Sequence, residues 1–389
     1  MSQIVIFGYF GCRNLGDETN LIQLVASLRS ISPDLTITVL SAAPKATGQL
    51  LGVKCVGKYH LLGILQAFLK GDLLIGGAGS LFQDRTSLRS LLYYALIVIL
   101  GKLCGLRIFL FGQGIGPVRT LPGKLIARVA LSVVKVITVR DRLSVVSLAD
   151  LKVRKPEIHI TAEPLLLKNP VPETLVRQYW ASARELRENE AARARSLKRF
   201  KVGLIFQEFG FVTREFARRR AFWEELLDFL SWSKEVEFYL IPMNPRDLGL
   251  LQRLAGAFQV RLLPLQTNWE ELQMAMGGLD LVVSTRLHGL VAAVVQQVSC
   301  YGLAADPKVE GFCVQLGVPF ISLSASTEPL GLSNRILGCL AGPIEKQRPW
   351  QSQLAFWKTR AFENQVLLQR FVAGGEDGAH ADETARLSP

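Results

Sequence analysis

Residues 284–293 read STRLHGLVAA. The run Leu279 to Val283 ahead of them reads as a buried parallel strand, and Leu290 to Val298 behind them as an apolar helix. Arg286 and His288 therefore fall in a strand-to-helix turn, where α/β proteins hold their ligands. An arginine beside a histidine in such a turn suits an anionic substrate that also needs a proton moved. The chain has only four histidines, so His288 has little competition for that role. Two further cations stand at comparable places, Arg140 after the strand Val136 to Val139 and Lys308 in AADPKVEG after the strand Val298 to Leu303. Each has an ordinary explanation when taken alone. Arg140 can pair with Asp141, Lys308 can be a solvated residue at a helix start, and His288 can be a neutral core histidine. Together, three cations at the mouth of one cleft fit a ligand that carries both phosphate and carboxylate.

Glycines gather after the expected strands, at Gly8–Gly16, Gly76–Gly79 and Gly112–Gly116. Any one of them is explained by a tight turn. As a set at one sheet edge they let backbone amides approach a ligand closely. The polar residues of these turns are Arg13, Asn14, Asp17, Glu18, Gln83, Asp84 and Gln113, with Gly77 among the glycines. Asp17 can cap a helix and Asn14 can serve a turn. Carboxylates and amides of this kind also suit sugar hydroxyls. The first turn, GYFGCRNLGDE, lacks G-x-G-x-x-G spacing, and strand two ends in SAAP with no acid for a ribose hydroxyl, which counts against a dinucleotide fold.

The elements that must position these residues alternate as strand and helix. Strands are expected at Ile4–Phe7, Thr36–Leu40, Asp72–Ile75, Arg107–Phe111, Val136–Val139 and Ile158–Ile160, with a helix over Leu88–Leu103. After a charged helical segment near Thr174–Arg199, a second series runs through Val202–Phe206, Phe238–Ile241, Val260–Leu263, Leu281–Val283 and Val298–Leu303. The fold class is α/β: two Rossmann-like doubly wound domains facing a central cleft, the arrangement known as GT-B. The expected divisions are residues 1–170, a basic linker 171–200, a second domain 201–345, a helix 346–373 that packs back, and a disordered tail 374–389.

The chain has 389 residues, 49% of them apolar, enough for two large cores. No signal peptide opens it, and the greasy run Leu91–Leu100 is about half of the ~20 residues a membrane span needs. Its six cysteines lack CxxC spacing, which fits reduced thiols in a cytoplasmic protein and offers no metal site. The net charge is +12, concentrated in Arg184–Lys201 (seven basic, three acidic) and Arg214–Arg220 (four basic, one acidic). Such runs suit a solvated helix face or peripheral contact with an anionic membrane at its inner face. No motif accompanies them that would point to nucleic acid.

The segments GYFGCRNLGDE, GGAGSLFQD, GQGIGP, VRD, STRLHGLVAA and YGLAADPKVEGFCVQLGVP occur in this order between about Ile4 and Leu340. In this they resemble the polysaccharide pyruvyl transferase family, the CsaB-like enzymes. The resemblance implies a GT-B-like fold and transfer of pyruvate from phosphoenolpyruvate to a sugar diol, leaving a cyclic ketal and phosphate. It implies no cofactor beyond that co-substrate, and a cell-wall or exopolysaccharide acceptor that can be lipid-linked. Through the matching motifs, Arg286, His288, Lys308 and Arg140 correspond to donor-site residues. The chain departs from the pattern at Gln207 and Glu208, where arginine is usual, at Glu163, where aspartate is usual, and in GGAGS. On this reading His288 either donates the proton to the methylene carbon or accepts one from the attacking hydroxyl. Two alternatives remain open at this point, a GT-B glycosyltransferase using a nucleotide-sugar and a non-enzymatic binding module that has kept the cleft.

Overall fold

The computed structural model describes residues 2–85, 87–185, 200–207, 221–258, 260–324, 326–341 and 347–374. Most of the basic stretch Arg184–Lys201, all of Arg214–Arg220, and the tail after Gly374 lie outside the described residues. Eight strands form the first sheet: β1 (Gln3–Phe7), β2 (Thr36–Ser41), β3 (Lys54–Gly57), β4 (Leu73–Gly76), β5 (Gly79–Phe82), β6 (Arg107–Ile115), β7 (Val136–Val139) and β8 (Glu157–Ile160). Their order is β3-β2-β1-β4-β6-β7-β8, with β5 added beside β6. Six strands form the second: β9 (Phe200–Ile205), β10 (Val236–Leu240), β11 (Arg261–Leu262), β12 (Leu281–Ser284), β13 (Ser299–Ala304) and β14 (Phe320–Ser322), in the order β11-β10-β9-β12-β13-β14. Every pairing is parallel. Both sheets reverse direction of growth beside their first strand, and such switch points open a crevice at the strands' carboxyl ends.

The central strands are apolar along most of their length because helices cover both of their faces. Ile4, Ile6 and Phe7 of β1 and Val282 and Val283 of β12 have no exposed surface. The helix Leu287–Val295 is buried along nearly its whole length, so its sequence LHGLVAAVV shows no polar stripe, and His288 is its one polar side chain.

Two expectations about the strands change. Arg107–Phe111 does not end in a glycine turn; β6 runs on through Gly112 to Ile115. Gly112 adopts φ +56°, and the pairing with β7 shifts between Leu110 and Gln113, so the glycines form a bulge inside the strand. GGAGS is likewise a short break between β4 and β5 rather than an open turn. The edge strands β3 and β14 are four and three residues long and only partly buried, too short to show a period of their own.

The last helix, Leu354–Val372, ties the halves together. Leu354 and Ala361 lie in the apolar core of the second half, and Leu368, Phe371 and Val372 in that of the first. Between them Asn364, with no exposed surface, accepts hydrogen bonds from Thr138 and Thr161 and donates to the carbonyls of Ala162 and Ala361. All its hydrogen-bonding capacity is used, as a buried amide requires. No helix among the described residues is long and apolar enough to cross a membrane.

Candidate active site

A cavity of about 630 Å³ opens between the two sheets. Its wall brings together Asn14, Asp17, Gln83, Arg140, Arg286, His288 and Lys308, which the sequence scatters over nearly 300 positions. Local structure explains how each is held. The hydroxyl of Ser284 at the end of β12 accepts from the Arg286 amide at 3.0 Å and donates to the Arg286 carbonyl at 2.8 Å. This keeps Arg286 extended at the N-cap, so the helix begins at Leu287 and His288 projects from its first turn. Asp306 caps the next helix, Pro307–Leu316, by accepting from the Lys308 amide at 3.1 Å. Asp141 does the same for Arg142–Asp150 through Ser144.

The cations are matched to carboxylates. Arg140, 4% exposed, donates to Glu163 at 2.9 Å and to Ser80 at 3.0 Å, while Asp141 stands 3.8 Å from its Nε. Arg286 pairs with buried Asp247 at 2.6 Å. Burial pushes the Asp247 carboxyl up and the guanidinium pulls it back. Lys308 lies 3.6 Å from Asp306, whose carboxyl is held below its ordinary value against the cost of burial by Lys308 and Arg85. Arg85 reaches from the first half to Asp306 at 3.4 Å and to the Ala305 carbonyl at 2.6 Å.

Two groups stand apart from this matching. His288 is 14% exposed, and its Nε2 has no hydrogen-bond partner; Glu163 Oε1 is 3.8 Å away. Burial, with help from Arg140, Lys308 and Arg286 and against the pull of Glu163, lowers the imidazole to about 4. Asp17 has the opposite shift. Burial raises its carboxyl to about 7, although Lys308 and Arg140 favour the anion. At neutral pH the site therefore holds a neutral imidazole and a carboxyl that is about half protonated, an arrangement suited to paired base and acid.

Two glycines serve these side chains by lacking one. A β-carbon on Gly16 would come 1.8 Å from His288 Nδ1, and one on Gly114 would come 2.8 Å from Arg140 Nη2. Gly16→Ala should displace the imidazole and lower turnover at least ~10-fold with little change in melting temperature, since it adds no cavity to either core. Unchanged kcat in that variant would show that the ring has room to move.

Other expected residues do different work, and the structure does not bring them to the cavity wall. Glu18 accepts from the Cys12 amide at 3.0 Å and holds the loop before its own helix. Asp84 accepts from the Arg119 and Thr120 amides and the Thr120 hydroxyl. Gln113, fully buried, donates to the Gly77 carbonyl. A β-carbon on Gly77 would meet the Phe10 ring at 2.6 Å, so that glycine makes room for packing. Arg13 is exposed, in the left-handed region at φ +57°, and its carbonyl accepts from Asn244 at 3.4 Å across the cleft. Sequence reasoning missed Arg85, Asp247, Ser80 and the pairing role of Glu163. The one available signal was position, since Glu163 follows the last strand of its sheet just as Arg140 follows the strand before.

The family model for polysaccharide pyruvyl transferase matches residues 14–307, a span that contains most of this wall. The chain belongs to the polysaccharide pyruvyl transferase family. No curated protein sequence matches it. Among solved structures, Anabaena HepE in complex with UDP-glucose superposes with a TM-score of 0.64 at 12% identity, covering 96% of this chain and 100% of that one. UDP-GlcNAc 2-epimerase from Methanocaldococcus jannaschii gives 0.59 at 14% identity, covering 96% and 100%. Staphylococcus aureus MnaA with UDP gives 0.59 at 10%, covering 96% and 97%. At such identities the likeness is one of fold, and it makes this pyruvyl transferase family member GT-B-like.

Proposed function

We propose that this member of the family transfers the pyruvyl group of phosphoenolpyruvate to two hydroxyls of a glycan, forming a cyclic ketal and releasing phosphate. The observation that carries the reading is the cavity wall, where Arg140, Arg286 and Lys308 surround a neutral imidazole with an unpartnered nitrogen and a carboxyl raised to about 7. Phosphoenolpyruvate is close to a trianion at neutral pH. The three cations, shared with their carboxylates, and the positive end of the helix Leu287–Val295 attract that charge.

The wall also separates the proton roles. An imidazole with a value near 4 is unprotonated at neutral pH, so it has no proton to give and its free nitrogen is open to receive one as negative charge gathers in the site. Asp17 is the group that still carries a proton there. A bound trianion raises both groups further, which keeps Asp17 protonated. Asp17 then gives its proton to the methylene carbon, which becomes a methyl group. The adjacent carbon turns electrophilic, one sugar hydroxyl adds to it, and His288 takes that hydroxyl's proton. Phosphate departs with the C–O bond pair, and the second hydroxyl closes the ring. Of the two hydroxyl protons, one restores Asp17 and one leaves with phosphate, so charge and atoms balance. Glu163, fixed by Arg140 and Asn20, stands beside the imidazole and stabilises its cation.

The test is ligand-dependent melting of the whole protein. Phosphoenolpyruvate should raise the melting temperature, and UDP, UDP-glucose and UDP-GlcNAc should not. A shift with the nucleotide-sugars alone would replace this reading with a glycosyltransferase. Stabilisation by none of them would leave a binding module. Lys308→Met should raise the apparent donor dissociation constant about 10- to 100-fold, because a single charge-assisted contact in a partly buried site contributes about 1.5–3 kcal/mol. Unaltered donor affinity would remove Lys308 from the donor pocket.

A further inference from the structure

Three helices on one face of the first sheet expose leucine outward where a surface helix ordinarily shows charge. They are Leu61–Lys70, Leu88–Leu103 and Leu121–Ser132, and all three pack inward on the same apolar core. Leu88, Leu92, Leu96 and Leu103 form one outer stripe, with Leu103 77% exposed. Leu121, Leu125 and Val129 form another, with Leu121 82% exposed. Leu61, Leu62 and Leu69 form the third. The second and third of these helices in the chain pack side by side, and Tyr59 meets Tyr93 edge-on where the first approaches. Apolar area of this extent on one face marks an interaction surface.

The charges on these helices are of one sign. None of the three contains Asp or Glu; together they carry Lys70, Arg89, Lys102, Lys124 and Arg128. Lys124 pairs with Asp150 at 2.8 Å, while Lys70, Arg89, Lys102 and Arg128 are exposed and pair with no carboxylate among the described residues. The helix Leu88–Leu103 borders the cavity on its inner side, through Ser90 and buried Tyr94, and exposed Leu143 and Val146 of the helix Arg142–Asp150 line the cavity too.

We infer that this face rests on a bilayer with anionic headgroups, leucines in the interface and cations at the phosphates, with the cavity mouth at its edge. Leucine stripes flanked by lysine and arginine and free of carboxylate are the pattern that binds such a surface. A second copy fits poorly. A twofold axis through the face would set its unpaired cations against their equivalents with no carboxylate on these helices to separate them.

The test uses the full chain and vesicles of phosphatidylcholine, with and without phosphatidylglycerol, in a sedimentation assay. The protein should bind the anionic vesicles at least ~10-fold better than the neutral ones, and added salt should weaken that binding. Leu92→Glu/Leu96→Glu and Leu121→Glu/Leu125→Glu should each lower binding at least ~10-fold. Both pairs are exposed, so the melting temperature and its rise with phosphoenolpyruvate serve as the check on folding and keep donor chemistry separate from docking. Equal binding by the glutamate variants would overturn the inference. So would loss of binding only when Arg218, Arg219 and Arg220 are changed to serine, or a dimer in solution that the glutamate variants dissociate.

Discussion

His288→Ala should lower kcat with phosphoenolpyruvate and a glycan acceptor by roughly 10²–10⁴-fold, the range typical of losing a positioned acid or base. The ring is held for this work by the turn at Ser284 and by the bare α-carbon of Gly16. Its Nε2 has no partner, so removing the ring breaks no hydrogen bond and should leave the melting temperature nearly unchanged. Phosphate release measured at saturating donor isolates the chemical step from binding. Full turnover in His288→Ala would assign the proton transfer to another group. The imidazole value of about 4 also sets the acid limb. kcat/KM should rise with pH through that region as the ring loses its proton and becomes able to accept one.

Asp17→Asn should abolish measurable turnover and at the same time make the protein more stable at alkaline pH. The sign follows from burial. The folded carboxyl titrates near 7, against an ordinary value of 3.8, so the folded state resists its ionisation. Below about pH 4 the carboxyl is protonated in both states and imposes no penalty. As pH rises from there to about 7 the wild type loses stability, and above that the loss is complete. Its size is on the order of 3 kcal/mol, taking about 1.4 kcal/mol for each pH unit that separates the folded from the unfolded titration and allowing for incomplete burial. Asparagine carries no such charge. Its advantage should therefore be largest near pH 8 and vanish toward pH 4, seen as a melting temperature a few degrees higher at the alkaline end. The same titration makes wild-type kcat/KM fall above about pH 7, as the proton donor is lost. A variant that gains no alkaline stability would mean that Asp17 ionises freely, and it could not then be the donor.

The strand-then-helix turns were readable because buried parallel strands and buried helices leave continuous apolar runs. Arg286 and His288 interrupt such a run, and Arg140 and Lys308 follow others, which is why the cations stand out in the sequence. The partners of those cations do not. Asp247 lies 39 residues from Arg286, and Glu163 lies 23 from Arg140, in segments joined only by sheet order. The glycine segments misled in a specific way. GQGIGP has turn composition, yet β6 continues through it because Gly112 takes up the irregularity as a bulge. Gln113 therefore points into the sheet and bonds to backbone, away from the ligand space. The shifted acidity of Asp17 was equally hidden. Its helix position gives an ordinary first-turn aspartate, and burial beside residues distant in sequence, among them Gly79, deprives it of water.

The final helix gives the two halves a shared fate during synthesis. Phe371 stacks obliquely on Phe109 at 5.2 Å and takes Arg107 over its ring at 5.1 Å, at the centre of the first sheet. Those contacts can form only after both sheets have been synthesised, since the helix follows all of their strands in the chain. Until then the amino-terminal sheet carries an uncovered greasy strip, and Asn364 is not yet there to accept from Thr138 and Thr161. Severing the polypeptide before Leu354 should thus yield a sticky, aggregating fragment instead of a self-sufficient amino-terminal module.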